Sequence, residues 1–181
     1  MAGVIDISGG GLYNVIVTWA QKGEGMKLLI KQRVFSWGSK FDIYDTDGRT
    51  VYVCQGEVFT WGKKLHIYDA DGNEVVFIKQ QLFRFLPHYD IHLRGQHFAT
   101  LIKKFTFFVH KFYYEGLNWE IDGDFFAHDY RITCGGDEVL SIAKRWFSWG
   151  DTYELTLNEN YNPLAALASA IVIDCINHSS Q

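Results

Sequence analysis

Two D-x-D-G phrases, Asp45 and Asp47 before Gly48 and Asp69 and Asp71 before Gly72, supply the kind of oxygen ligands with which a calcium loop opens. Such a loop continues with further oxygen donors and closes on a bidentate glutamate at its twelfth position. Counted from Asp45 that position is Gly56, and counted from Asp69 it is Gln80, so neither phrase carries the closing acid. The other chemistry of Asp-Gly is conformational. Glycine accepts positive φ, which makes the pair a strong two-residue hairpin signal between alternating strands. The phrase is read as a repeated turn, with weak calcium affinity left to a titration.

Seven histidines, His66, His88, His92, His97, His110, His128 and His178, offer nitrogen ligands. His88 and His92 share a strand face but stand about 13 Å apart at about 3.3 Å per residue. Zinc holds its ligands at about 2.0 Å, so one strand cannot supply both. His66 and His92 are accounted for as outward polar positions. Cys54, Cys134 and Cys175 are odd in number, widely spaced and without C-x-x-C, which argues against a disulfide framework or a zinc site and fits a reducing cytosol. Cys54 and Cys134 fall in strand runs, where a thiol packs as a small hydrophobe. No G-x-S-x-G, H-E-x-x-H or Walker phosphate loop occurs. The expectation is a non-enzyme with no catalytic residue, no metal site and no cofactor.

Repetition organises the chain. "RVFSWGSKFDIYDTDG" at 33–48 returns as "EVFTWGKKLHIYDADG" at 57–72, pairing Phe35 with Phe59, Trp37 with Trp61, Gly38 with Gly62 and Ile43 with Ile67. A degraded third copy has Phe83, Phe85 and Ile91 at the same spacing, and "RWFSWGDTYELTL" at 145–157 repeats the opening words. Repetition of this kind marks a supersecondary unit used several times. Trp37, Trp61 and Trp149 occupy equivalent corners. Either they pack over the hairpins, or they emerge at one rim as an interfacial aromatic ring, since tryptophan favours membrane–water boundaries.

Within each unit the period is two. Leu65 and Ile67 alternate with His66 and Tyr68, and Tyr153, Leu155 and Leu157 alternate with Glu154 and Thr156. About twelve strand runs follow, near 28–33, 41–45, 50–58, 64–68, 74–81, 88–93, 97–104, 107–113, 117–122, 128–134, 138–146 and 152–157. One segment breaks the pattern: 162–178, with Asn162 as N-cap and Pro163 as first helical residue. From Leu164 to Ile173 it is apolar on every face except Ser169. A helix apolar all round is buried, and the 11 residues from Pro163 to Ile173 span about 16 Å, short of the roughly 30 Å of a bilayer core. An eight-stranded barrel is filled by its own side chains, whereas twelve strands leave room for a helix. Ala165, Ala166, Ala168 and Ala170 keep this helix slim. The expected fold is mainly β: about twelve strands in a closed antiparallel barrel enclosing the hydrophobic C-terminal helix.

A formal charge of −4, from 17 basic and 21 acidic residues without a basic run, leaves no visible nucleic-acid surface or polybasic membrane patch. Lys63-Lys64 and Lys103-Lys104 are read as solvated strand ends. Residues 1–25 share nothing with the repeats, lack the basic start and apolar core of a signal peptide, and include a purine-compatible Lys22-Gly23-Glu24 just ahead of Met26. Met26 is expected to be the natural start, with 1–25 a leader of separate status and 26–178 a single domain.

The F-[ST]-W-G and I-Y-D-x-D-G phrases, with "YNPLAALASAIVIDCINH" at the end, resemble the LURP-one-related family of the Tubby C-terminal-like superfamily, which includes the phospholipid scramblases. The resemblance covers about 26–178 and implies a twelve-stranded barrel around a central hydrophobic helix. It implies contact with membrane lipid or phosphoinositide but transfers no binding residue. The functional expectation is a non-enzymatic binding or scaffold module, cytoplasmic and peripheral at the membrane, whose outer surface contacts phospholipid. The alternative is a scramblase-like, calcium-dependent lipid-moving or membrane-inserting protein. No nucleic-acid partner and no transmembrane span are expected.

Overall fold

The computed structural model describes residues 25–30, 37, 38, 40–104, 111–125, 127–145 and 152–178. Residues 1–24 of the leader, His110 and Trp149 lie outside them. Alternating apolar side chains build twelve strands among the described residues: β1 (Met26–Ile30), β2 (Lys40–Tyr44), β3 (Thr50–Gly56), β4 (Lys64–Asp69), β5 (Glu74–Gln80), β6 (His88–Leu93), β7 (Gln96–Lys104), β8 (Lys111–Glu115), β9 (Trp119–Asp124), β10 (Asp129–Cys134), β11 (Asp137–Arg145) and β12 (Thr152–Leu157). One helix follows, α1 (Pro163–His178). Of the run expected near 107–113, residues 107–110 lie outside the described residues, and β8 covers 111–115 with Phe112 and Tyr114 as its buried pair.

The strands form one antiparallel sheet in the order β8-β7-β6-β5-β4-β3-β2-β1-β12-β11-β10-β9. Inward residues pair across it, as in Phe41–Cys54–Ile67–Val76 and Leu65–Ile78–Ile91–Ala99. The expected closure is nearly complete. The outermost strands β8 and β9 come together with no backbone ladder among the described residues, and aromatic side chains make the join. Phe112 meets Phe125 at 5.3 Å between ring centroids, and Tyr114 meets Trp119 at 5.7 Å.

Helix α1 fills the lumen. Asn162 caps it as its sequence position predicts, its Oδ1 accepting from the N–H groups of Leu164 and Ala165 at 3.1 Å each. Every residue from Ala165 to Asn177 is buried. The apolar run therefore meets sheet on all sides, and each buried leucine or isoleucine contributes about 1.5–3 kcal/mol. Asp174, which ends the run in sequence, does not end the helix and has no exposed surface. It lies against Tyr130, whose hydroxyl donates to its Oδ1 at 3.4 Å, and His128, whose Nδ1 is 3.3 Å from the same oxygen.

Antiparallel neighbours sort the connections onto two ends. β2–β3, β4–β5, β6–β7 and β10–β11 close on short turns at one end. Gly135-Gly136 is the expected two-residue hairpin, with Cys134 paired to Asp137. Asp47-Gly48 and Asp71-Gly72 depart from that expectation. They close longer turns in which Asp45 N–H donates to Arg49 O and Asp69 N–H to Asn73 O. Gly48 and Gly72 take φ of +82° and +83°, and the register slips one residue at Ile43/Tyr44 and Ile67/Tyr68. At the other end lie the repeated F-x-W corners and the C-terminal half of α1.

Candidate functional site

The β3–β4 and β5–β6 loops, residues 57–63 and 81–87, share the second end of the barrel. Each comes from one copy of the repeat, and both fold alike: Phe59 and Phe83, 24 positions apart in sequence, hold φ of +62° and +59°. A left-handed conformation at phenylalanine is unfavourable, and here it turns both rings outward. Phe59, Phe83 and Phe85 are more than nine-tenths exposed and Trp61 is 85% exposed, with Val58 and Leu82 beside them. The loops brace one another. Gln80 N–H donates to Lys63 O at 2.8 Å, Lys63 N–H donates to Gln80 Oε1 at 3.2 Å, and Leu82 packs over Gly62.

The equivalent corner of the first copy behaves oppositely. Trp37 is 4% exposed and stacks inside the barrel mouth on Tyr89. The cause lies one strand away. A Cβ on Gly56 would fall 1.6 Å from the Trp37 carbonyl oxygen, so only glycine lets that backbone cross the end of β3. The matching position in the next copy, 24 residues on, is Gln80, whose Oε1 accepts the Lys63 N–H beside the Trp61 corner. The corners are equivalent in sequence and not in environment.

Cationic side chains surround the exposed tips. Lys63 and Arg84 lie within the two loops, Lys40 starts β2 on one flank, and Lys104 and Lys111, paired across β7 and β8, lie on the other. All five are exposed. At the same end Glu57 is bound by Lys64 at 3.1 Å, while Asp124 and Asp129 sit on β9 and β10, across the seam. The opposite end gathers Asp45, Asp47, Asp69, Asp71, Asp137 and Glu138, against Arg49 and Arg94. A chain of net charge −4 is thus polarised along its barrel axis. The sequence reads Lys63-Lys64 and Lys103-Lys104 as solvated strand ends. They are strand ends, but of strands that finish or start at one rim.

The D-x-D-G carboxylates serve their turns. Asp45 Oδ1 accepts Arg49 N–H at 2.8 Å, and Asp69 Oδ1 accepts the N–H groups of Asn73 at 2.8 Å and Asp71 at 3.1 Å. Despite partial burial, these bonds hold the Asp69 carboxyl below its usual range. No group of three metal-ligating side chains forms among the described residues. His66, His92 and His97 do come together on the outer wall, in one cross-strand row with Phe77 between the first two. Their rings alternate at 4.8 Å (His66–Phe77), 5.9 Å (Phe77–His92) and 5.4 Å (His92–His97). His88 instead bonds Leu86 O at 2.7 Å, and His128 faces α1. Cys54 and Cys175 are buried in the core, and burial pushes both thiols up, so neither is a ready nucleophile.

His66 joins the row to the loop stem. Its Nε2 lies 2.8 Å from Glu57 Oε1 and its Nδ1 lies 2.6 Å from Glu74 Oε2. The hydrogen bonds from His66 and Lys64 hold the Glu57 carboxyl below its usual range.

Comparison with known proteins places this geometry in a family. The LURP-one-related family model matches residues 26–174. The chain is 36% identical over 156 residues to the uncharacterized protein YxjI of Bacillus subtilis (strain 168), covering 86% of this chain and 96% of that one. The X-ray structure of an Arabidopsis thaliana protein superposes with a TM-score of 0.62 at 14% identity, covering 85% of this chain and 92% of that one, a likeness of fold.

Proposed function

The chain belongs to the LURP-one-related family, and we propose that it is a non-enzymatic binding module that docks peripherally on anionic phospholipid membranes through the aromatic end of its barrel. The observation that carries this reading is the pair of braced loops presenting Phe59, Trp61, Phe83 and Phe85 outward among Lys40, Lys63, Arg84, Lys104 and Lys111. Monomeric surfaces rarely expose a contiguous apolar patch of this kind without a partner. Aromatic rings favour the headgroup boundary, and lysine and arginine near an anionic surface add about 1 kcal/mol each. The rings of Phe59, Trp61, Phe83 and Phe85 stand exposed at the loop tips, which suits insertion between headgroups; a single-stranded nucleic acid would instead need a groove that tracks its backbone.

With α1 filling the lumen, function falls to the ends and outer wall. The lipid-moving alternative lacks comparable support. No described helix is long and apolar enough to cross a membrane, and α1, 16 residues and about 24 Å long, is the element such a mechanism would insert. Co-sedimentation with vesicles of three parts phosphatidylcholine to one part phosphatidylglycerol, with and without calcium, tests the proposal. Wild-type protein is expected to pellet without calcium, and Phe59→Ala with Trp61→Ala to lower partitioning about tenfold or more, the loss of roughly one buried aromatic side chain. Wild-type protein left in the supernatant, or self-association through the same loops, would overturn it.

A further inference from the structure

The loop stems of the second and third repeats are pinned by the same pair of positions with different chemistry. In the third copy Gln81 Nε2 donates to Asp90 Oδ1 at 2.7 Å. Twenty-four residues earlier the pair is Glu57 and His66, 2.8 Å apart. The Gln–Asp pin holds at any pH above the carboxylate range. The Glu–His pin depends on a proton.

His66 has a second carboxylate on its other nitrogen, Glu74 at 2.6 Å. A neutral imidazole carries one N–H and one lone pair, so it can donate to only one of the two. The other nitrogen would then turn a lone pair toward an anionic oxygen. Both contacts together require the imidazolium. The carboxylates address opposite edges of the ring and so cannot converge on a common metal ion.

We propose that protonation of His66 controls the docking loop: the imidazolium pins the β3–β4 loop stem to β4 and β5, and its deprotonation releases one pin. The proposal rests on the docking reading above. With Glu57, Glu74 and Lys64 the protonated cluster is electrically neutral; without the His66 proton it carries one net negative charge. The other groups against His66 are Tyr68 on β4, Phe77 on β5 and Gln55, its cross-strand neighbour on β3. Beyond Phe77 stand His92 on β6 and His97 on β7, with Asp90 and Lys79. Burial and Lys79 hold His92 below its usual range, which favours its neutral form. Acidification therefore both stiffens the loop that carries Phe59 and Trp61 and removes a negative charge beside the rim.

The test compares vesicle binding at pH about 5.5 and about 8, on either side of the ordinary histidine range. Wild-type protein is expected to bind about fivefold more tightly at the lower pH, the effect of one unit charge near an anionic surface. Replacing the pin by that of the third copy, Glu57→Gln with His66→Asp, should abolish the pH ratio while Phe59 and Trp61 remain necessary for binding. Glu74→Gln, whose amide can donate to a neutral ring, should also reduce it, whereas His92→Gln and His97→Gln should leave it. An unchanged ratio in the pin-exchanged protein overturns the proposal and leaves docking standing. Nitrogen NMR of the His66 ring supplies a membrane-free check. Both nitrogens protonated at pH about 5.5, with changes at Glu57 and Glu74 as that proton leaves, is the expected result. A ring that titrates with neither carboxylate responding overturns the switch whether or not the protein binds lipid.

Discussion

Trp37 lies face to face with Tyr89, ring centroids 5.1 Å apart and planes within 10° of parallel, at the mouth of the barrel where α1 ends. Trp61, its counterpart in the next repeat, points into solvent. One sequence word thus serves two purposes, a core anchor and a surface tip, and only glycine at position 56 admits the backbone crossing at the buried one.

Stability separates the two tryptophans. Trp37→Ala is expected to cost about 3–5 kcal/mol, as for other buried large aromatics, and Trp61→Ala to stay within about 0.5 kcal/mol of wild type. Gly56→Gln should behave like Trp37→Ala, because it blocks the backbone path that buries the ring. Denaturant melts of the three variants check this; equal losses at Trp37 and Trp61 would contradict the assigned environments.

The plug is tested at Leu167, 1% exposed on α1. Leu167→Ala should cost about 2–5 kcal/mol, and Leu167→Asp, which places a charge without a partner in the lumen, should prevent folding. Circular dichroism and melting of the soluble fraction read the outcome. A cooperatively melting Leu167→Asp protein would mean the helix is not sealed inside.

Charge reversal probes the polarised barrel. Lys104→Glu with Lys111→Glu changes two exposed residues at the aromatic end and should weaken binding to anionic vesicles by well over tenfold, with little effect on neutral ones. Reversing Asp47 and Asp71 at the opposite end should not strengthen docking. Binding of the wild type should fall as salt rises, since exposed charges are screened within about 10 Å at 0.1 M salt.

Asp90 and Tyr89, adjacent on β6, make stability depend on pH at opposite extremes. Burial works to raise the Asp90 carboxyl, but hydrogen bonds from Gln81 and from Thr100 at 2.8 Å, with His97 and Lys79 nearby, hold it below its usual range. A depressed carboxyl stabilises the fold above its unfolded value, about 3.9, and that contribution is lost as pH falls through the folded value. Burial pushes the Tyr89 hydroxyl up to about 12, with the Cys175 thiol adding to the rise. Its contribution is present below the ordinary tyrosine value of about 10 and is lost as pH rises through about 12. Melting temperature against pH should therefore fall at both ends, with Asp90→Asn flattening the acid limb and Tyr89→Phe the alkaline one.

Strand content and the buried helix were legible in the residues themselves. Alternation such as Leu65–His66–Ile67–Tyr68 is a local signal of which face is apolar, Asn162-Pro163 is a local signal of where a helix starts, and an apolar run too short for a bilayer has only a protein interior to enter. Three things were not local and only the tertiary structure decided them. The ladder order brought Lys40, Lys63, Arg84, Lys104 and Lys111 from five separate places in the chain to one rim, so a net acidic sequence hid a cationic end. The close crossing of the Trp37 backbone over Gly56, which admits no Cβ, distinguishes the buried corner, and it depends on how closely two backbones approach. The meeting of Glu57, His66 and Glu74 required a loop and two strands in register, and that is where a turn of repeated sequence acquires a proton-dependent contact.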